Sequence, residues 1–294
     1  MKIGFDLGPG LSASWRADAA DVPGIRRLEL LRKCTSMPEL PDDGKAACRV
    51  VPTVDQNKSF CLRNHLMRIE YSDDLGSVRC AFRDPGTTVK HPAELVWRGV
   101  RKLLFAGMVP YMLRRECFMM HGALLERNGR AVVISGPSGI GKSTTALRMG
   151  ERFRILADDC LFFYRGKDGW MVRPAPTWSV YLFAKPELTK CDIRVERPLS
   201  HILLLGRNAA KYIPLEPEQS VIGVAPAFTD MVQWHMSCFP EVLCRKLREA
   251  ALDAAAEAAR SIPCGALQLT LDCDIFSLLP EAASESANIK PHNQ

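Results

Sequence analysis

The sequence predicts an α/β fold with a mixed sheet, in which a phosphate-binding loop joins a buried strand to a helix. Residues 136–143 read GPSGIGKS, which matches the pattern GxxxxGK[ST], and a β-branched run at 131–134 precedes them. A second short strand at 154–157 ends in Asp158 and Asp159. Strand-like runs around an Asp-Gly turn then follow without an intervening helix, so parallel and antiparallel pairs should share the sheet.

A smaller β-rich region is predicted before this phosphate-loop domain. Apolar and charged residues alternate at 67–71 and 78–83 on either side of turn residues, which predicts a hairpin. Apolar residues at helical spacing then predict a connecting helix that Gly107 and Pro110 end. The expected division is an accessory region at 1–115, a catalytic domain at 116–282 and a polar tail at 283–294.

The residue types in the loop suit phosphate binding. Its glycines permit conformations that a Cβ would penalise, so that backbone amides and the helix N-terminus face the anion. Lys142 is expected to reach the terminal phosphates, and the Ser143 hydroxyl to ligate Mg²⁺. A glycine turn that merely joins strand to helix is the alternative. The predicted nucleotide-binding residues are Gly136, Ser138, Gly139, Ile140, Gly141, Lys142, Ser143 and Thr144.

The paired carboxylates of Asp158 and Asp159 are placed to face this loop from the end of a neighbouring strand. One of them could hold Mg²⁺, and the other could accept a proton from an attacking hydroxyl. Such a pair is otherwise typical of a solvated strand end or a helix cap. Arg194 and Arg197 could stabilise phosphoryl charge, although a surface position is the default for arginines.

Three segments together resemble the core of HPr kinase/phosphorylase and its relatives: HGA at 121–123, GPSGIGKST at 136–144 and LADD at 156–159. The resemblance covers roughly residues 118–165. It implies a fold like the nucleotide-binding part of phosphoenolpyruvate carboxykinase. It also implies that Asp158 is the acid/base, that Lys142 and Ser143 handle phosphate and metal, and that His121 supports the acid/base. Asp159 is then the natural candidate for metal support.

One departure from that family concerns the stretch E-[IV]-R-G-x-G, which its bifunctional members carry after the aspartates. The corresponding residues 173–179 read RPAPTWS. The departure argues against phosphorylase activity and against HPr as the substrate. The chain is more similar to HPr-kinase-related proteins of peptide-modification systems, including lasso-peptide kinases and the SynChlorMet cassette protein ScmC.

Composition limits the compartment and the partners. The net charge of +6 is dispersed, which does not favour a nucleic-acid surface. The 11 cysteines include no CxxC pair, no secretory signal is evident and no apolar run could span a bilayer. We therefore expect free thiols in the cytoplasm, with neither a membrane nor a nucleic acid as partner. A homo-oligomer is left open.

The function predicted from these features is transfer of phosphate from ATP, with Mg²⁺, to a serine or threonine hydroxyl of a peptide or small protein. Two alternatives remain at this level. One is a nucleotide-dependent switch or peptide-binding protein, and the other is a kinase of a small metabolite such as serine.

Overall fold

The computed structural model describes residues 105–167, 169–175, 194–234, 239 and 241–280, and the backbone of five earlier strands. Those strands are β1 (Lys2–Asp6), β2 (Ser14–Asp18), β3 (Cys48–Val54), β4 (Met67–Tyr71) and β5 (Ser77–Phe82). They form one sheet in the order β1–β2–β3–β5–β4. Because β4 pairs antiparallel with β5, the predicted hairpin is confirmed.

The later part of the chain contributes nine strands and five helices to the described structure. In chain order these are α1 (105–113), β6 (Cys117–His121), β7 (Ala123–Arg127), β8 (Arg130–Ser135), α2 (Lys142–Met149), β9 (Arg154–Ala157), β10 (Cys160–Gly166), β11 (Gly169–Pro174), β12 (Arg197–Arg207), β13 (Lys211–Pro214), α3 (Pro217–Gln233), α4 (Glu241–Ser261), β14 (Cys264–Leu269) and α5 (Ile275–Leu278).

The nine strands form one mixed sheet, as predicted. Its order is β6–β10–β11–β12–β8–β7–β9, and β14 pairs with both β12 and β13. β12 runs parallel to β8 and to β14, while β7 is antiparallel to β8 and to β9. The strands β9, β8, β12 and β14 therefore point the same way. Their last residues define one boundary of the sheet, here called the carboxyl edge.

Helices cover both faces of this sheet. One hydrophobic core contains buried residues of α1, α3 and α4, and the other contains those of α2 and α5. The alanines of α4 are buried where this helix packs against α3. Their small side chains let the two helices approach closely. Within the described residues, no helix combines the length and apolarity needed to cross a membrane.

Helix α1 corrects one prediction. Gly107 and Pro110 were expected to end a helix, but α1 continues through both to residue 113. Burial explains the difference: Tyr111 and Met112 beyond the proline are 0% exposed. Burying side chains of this size contributes about 1.5–3 kcal/mol each, which offsets the roughly 3 kcal/mol cost of an internal proline. The earlier part of that predicted helix, at 92–104, lies outside the described residues.

Candidate active site

The phosphate-type loop lies at the carboxyl edge, between the end of β8 and the start of α2. Gly136, Gly139 and Gly141 have φ angles of 149°, 77° and 108°, a region that side chains rarely adopt. Gly141 caps α2, and its carbonyl accepts a hydrogen bond from the Thr145 amide at 2.9 Å. The strand–loop–helix geometry expected from the sequence is therefore present.

Lys142, the first residue of α2, folds back over this loop. Its ammonium donates to the carbonyl oxygens of Gly136 at 2.8 Å and Pro137 at 3.1 Å. The side chain is only 6% exposed, and burial lowers the pKa of its amine. The nearby charges of Asp159 and Asp230 oppose this shift. The loop thus holds a cation on which two carboxylates act electrostatically.

The aspartates face the loop across a corner of the sheet. β6 continues into β7 through Gly122, while β9 continues into β10 through Asp158 and Asp159. The two bent strands pair antiparallel, and the Gly122 amide donates to the Asp159 carbonyl at 3.1 Å. A Cβ at Gly122 would lie 2.9 Å from the Ile134 carbonyl. The absence of a side chain at Gly122 therefore allows close contact between this corner and the end of β8.

His121 lies at the same corner. It pairs with Cys160 in the β6–β10 ladder, and its carbonyl accepts from the Ser135 hydroxyl at 3.4 Å. Ser135 is the last residue of β8, so His121 lies at the end of the sheet that carries the loop. The turn of Asn128 and Gly129 between β7 and β8, with φ of 53° and 77°, has the left-handed conformation that this dipeptide favours.

Both aspartates are almost completely buried, Asp158 at 2% and Asp159 at 6% exposure. The Cys160 thiol donates to Asp159 Oδ2 at 3.2 Å. Burial at this level excludes the alternative of a solvated strand end. A buried carboxylate that interacts with a buried ammonium, as Asp159 does with Lys142, is typical of functional sites, although structural ion pairs can also produce this pattern.

Helix α3 supplies residues that the sequence did not reveal. The ring of Trp234, which follows the last turn of α3, packs edge-on against His121 with centroids 4.6 Å apart. The Cys160 thiol contacts Met231 Sδ at 3.7 Å. Asp230 lies on the same turn, where burial raises its pKa while the Lys142 charge opposes the rise. The sequence signal that could have indicated Asp230 is a single carboxylate between the apolar residues Phe228 and Met231.

An arginine does reach the loop, but it is not one of those considered from the sequence. Arg207, the last residue of β12, donates to the carbonyls of Ile140 at 3.0 Å and Gly139 at 2.6 Å. Arg197 begins β12 and therefore lies at the opposite edge. Its guanidinium is 3.7 Å from a carboxylate oxygen of Glu126.

The chemistry of the donor set is suited to Mg²⁺. Ser143 and Asp159 offer hydroxyl and carboxylate oxygens, the ligands that this hard cation prefers. Among the described residues, no group of three His, Cys, Asp or Glu side chains could hold a metal by itself.

Comparison with known proteins gives short local matches to HPr kinases/phosphorylases. The chain is 43% identical over 58 residues to that of Geobacillus sp., covering 19% of each protein. It is 37% identical over 76 residues to that of Limosilactobacillus reuteri, covering 25% of this chain and 24% of the relative. The matches thus span less than a quarter of these relatives.

A solved structure, the Hpr(Ser) kinase/phosphatase from Coxiella burnetii, is also similar to part of the chain. The identity is 18%, the TM-score is 0.25, and the match covers 33% of this chain and 70% of that one.

A mixed sheet with a glycine–lysine–serine loop between a strand and a helix defines a phosphate-loop α/β protein. Residues 96–280 match the family model described as SynChlorMet cassette protein ScmC. This match spans more than half of the chain, which therefore belongs to that family. With the local matches to HPr kinases, it confirms the relationship expected from the sequence.

Proposed function

We propose that this protein is a kinase that transfers the terminal phosphoryl group of ATP, with Mg²⁺, to a serine or threonine hydroxyl of a peptide or small protein. The observation that carries the proposal is the position of Asp158 and Asp159. They follow β9, which runs parallel to β8, so both carboxylates lie at the edge that holds the phosphate loop.

The proposed reaction needs one base and a cradle for the phosphates. The acceptor oxygen attacks the γ-phosphorus, the bond from that phosphorus to the β–γ bridging oxygen breaks, and ADP leaves. The hydroxyl proton passes to the Asp158 carboxylate, while Lys142 and the loop amides hold the phosphate oxygens. Positioning and electrostatics supply most of the rate enhancement in such a transfer.

Asp159 and Ser143 would hold Mg²⁺, which neutralises phosphate charge when bound. The electrostatic environment supports this division between the aspartates. Asp159 is the neighbour that most strongly counteracts the lowering of the Lys142 pKa, which indicates that its carboxylate lies close to the ammonium. Asp158 then remains as the base that takes the proton of the acceptor hydroxyl, in agreement with the role that the resemblance implies. A reducing compartment such as the cytoplasm is proposed from the cysteine usage of the sequence, whose 11 cysteines include no CxxC pair.

The acceptor is proposed from the family. The chain resembles HPr-kinase-related proteins of peptide-modification systems, and a peptide hydroxyl is a group that a base at Asp158 could deprotonate. An HPr-like protein is not proposed, because the stretch E-[IV]-R-G-x-G is missing from the sequence.

The experiment is incubation of the protein with ATP·Mg²⁺ and peptides encoded next to its gene, followed by mass spectrometry. We expect one added phosphate on a serine or threonine, and none with Asp158→Asn. Hydrolysis of ATP without a modified acceptor would favour a nucleotide-dependent switch. Phosphate on free serine alone would identify a metabolite kinase.

A further inference from the structure

The two helices that cover the same face of the sheet differ in what they expose to solvent. Between residues 221 and 234, the exposed positions on α3 and its cap are Ile222, Pro226, Gln233 and Trp234. The exposed positions of α4 are mainly charged, and they include Arg245, Lys246, Glu249, Asp253 and Glu257. The outer face of a surface helix is normally polar, so the apolar residues on the outside of α3 are the exception.

The exposed apolar residues of α3 form one row with a carboxylate in it. Ile222, Pro226, Asp230 and Trp234 follow one another at intervals of four residues, so they lie along one side of the helix. The Trp234 amide donates to the Asp230 carbonyl at 2.9 Å, which continues the helical geometry to the last of the four. We define these four residues as the α3 ridge. At a rise of 1.5 Å per residue, it is about 18 Å long.

The packing of α3 against the sheet directs this ridge outward. Val224 and Phe228 on the inner side of the helix are both 0% exposed. A Cβ at Gly223 would collide with the Leu204 side chain, so the helix lies close to β12 at this point. This close approach leaves α3 little room to rotate about its axis, and Ile222 is accordingly 75% exposed.

One end of the ridge lies at the corner that holds the aspartates. The Trp234 ring packs edge-on against His121, and the side chain is still 39% exposed. In phosphoryl transfer, the attacking and leaving oxygens lie roughly in line, so an acceptor must approach from the side of the base and not from the side of ADP. With Asp158 as the base, a chain bound along the ridge would reach the site from the required side.

The ridge has the chemistry and the length that suit an extended peptide. Ile222 and Trp234 offer apolar surface, and tryptophan is among the residues that most often dominate binding surfaces. Pro226 has no amide hydrogen to donate to the Ile222 carbonyl, which can therefore accept a hydrogen bond from a peptide. At about 3.3 Å per residue, an extended segment of five or six residues spans the 18 Å. A free amino acid beside Asp158 would not reach Ile222.

We propose that the α3 ridge is the docking surface for the acceptor peptide. The segment on one side of the phosphorylated residue lies extended along α3, with apolar side chains against Trp234 and Ile222. The inference rests on the proposed kinase function and adds the part of the protein that selects a peptide over a small metabolite.

The test uses the peptide that mass spectrometry identifies as the acceptor, and a short version that keeps two residues on each side of the phosphorylated one. The short version reaches only about 7 Å from that residue and cannot contact the far end of the ridge. Ile222→Glu alters that far end. Leu252→Glu is the matched control, because Leu252 is an apolar residue of α4 that is 47% exposed and lies outside the ridge. Steady-state kinetics gives KM and kcat, and analytical ultracentrifugation gives the oligomeric state.

We expect Ile222→Glu to raise the KM for the full peptide about tenfold, as loss of one apolar contact predicts, with kcat within about twofold. The same variant should not change the KM for the short peptide, because variant and truncation remove the same contact. The control should change neither value.

An unchanged KM for the full peptide in Ile222→Glu would overturn the docking surface and leave the kinase function standing. An equal rise in Leu252→Glu would also overturn it, because added charge alone would then explain the effect. If Ile222→Glu dissociates a dimer without changing the KM, the ridge binds a second copy of the chain instead. If no peptide is phosphorylated, the proposed function fails and the docking surface fails with it.

Discussion

Replacement of Lys142 by alanine tests the phosphate loop most directly. The ammonium is buried, is held by two loop carbonyls and lies close to Asp159 and Asp230. When a phosphate binds, the ammonium can exchange these two neutral carbonyl acceptors for charged phosphate oxygens. Hydrogen bonds to charged groups contribute roughly 1.5–3 kcal/mol. Loss of one such interaction corresponds to an ATP affinity that is about 10- to 150-fold weaker.

The assay for Lys142→Ala is calorimetric titration with ATP in the presence and absence of Mg²⁺. Lys211→Ala is the matched control, since it removes the same charge from an exposed position on β13. Circular dichroism would verify that both variants are folded. Unchanged affinity in Lys142→Ala would refute the interpretation of this loop as a phosphate site. Equal losses in both variants would mean that net charge alone, and not the geometry of the loop, determines binding.

Three further predictions concern the corner around the aspartates. The Asp158→Asn variant should bind ATP·Mg²⁺ normally but lose about 10²–10⁴-fold in turnover. The Asp159→Asn variant should mainly raise the Mg²⁺ concentration that turnover requires. If the two phenotypes are exchanged, the two roles are reversed. Gly122→Ala should lower the free energy of unfolding in urea by about 1–3 kcal/mol, because its Cβ would lie 2.9 Å from the Ile134 carbonyl; no loss would contradict the close approach. Folding raises the pKa of the Asp230 carboxyl group. The stability that this group contributes is therefore fully present below its pKa in the unfolded state, and it is lost as the pH rises through its pKa in the folded state. Asp230→Asn should remove that part of the pH dependence in thermal unfolding between the two values, and an unchanged profile would show that another group titrates there.

The parts of the site that the sequence predicted are those encoded within one short segment. The phosphate loop and its flanking strand and helix depend on neighbouring residues, so the pattern in 131–149 was sufficient. The aspartates follow one helix later, and the rule that ligands bind at the carboxyl ends of parallel strands placed them beside the loop. The Asn-Gly turn at 128–129 is a local signal of the same kind, because it favours the pairing of β7 with β8 and so carries His121 to this end of the sheet.

The parts that the sequence did not predict depend on contacts between distant segments. Asp230 and Trp234 reach the corner only because α3 crosses the sheet about seventy residues after the aspartates, and nothing local specifies that crossing. The parallel pairing of β12 with β14 likewise has no local signal, because a helical pair separates the two strands along the chain. Prediction of the end of α1 failed for the same reason, since burial outweighed the local effect of Gly107 and Pro110.

The features of this protein that oppose folding lie together at the carboxyl edge. Left-handed backbone at Gly136 and Gly141, a buried ammonium at Lys142 and buried carboxylates at Asp158 and Asp159 each oppose folding when considered alone. Away from this edge, the covering helices follow ordinary rules: α4 buries small alanines and α3 begins with a proline and a capping box. A sequence that obeys local rules in its supporting layers and breaks them in one place can hold reactive groups there in a fixed arrangement. Because these features share one edge, the proposed phosphoryl transfer would depend on a single rigid set of strand ends.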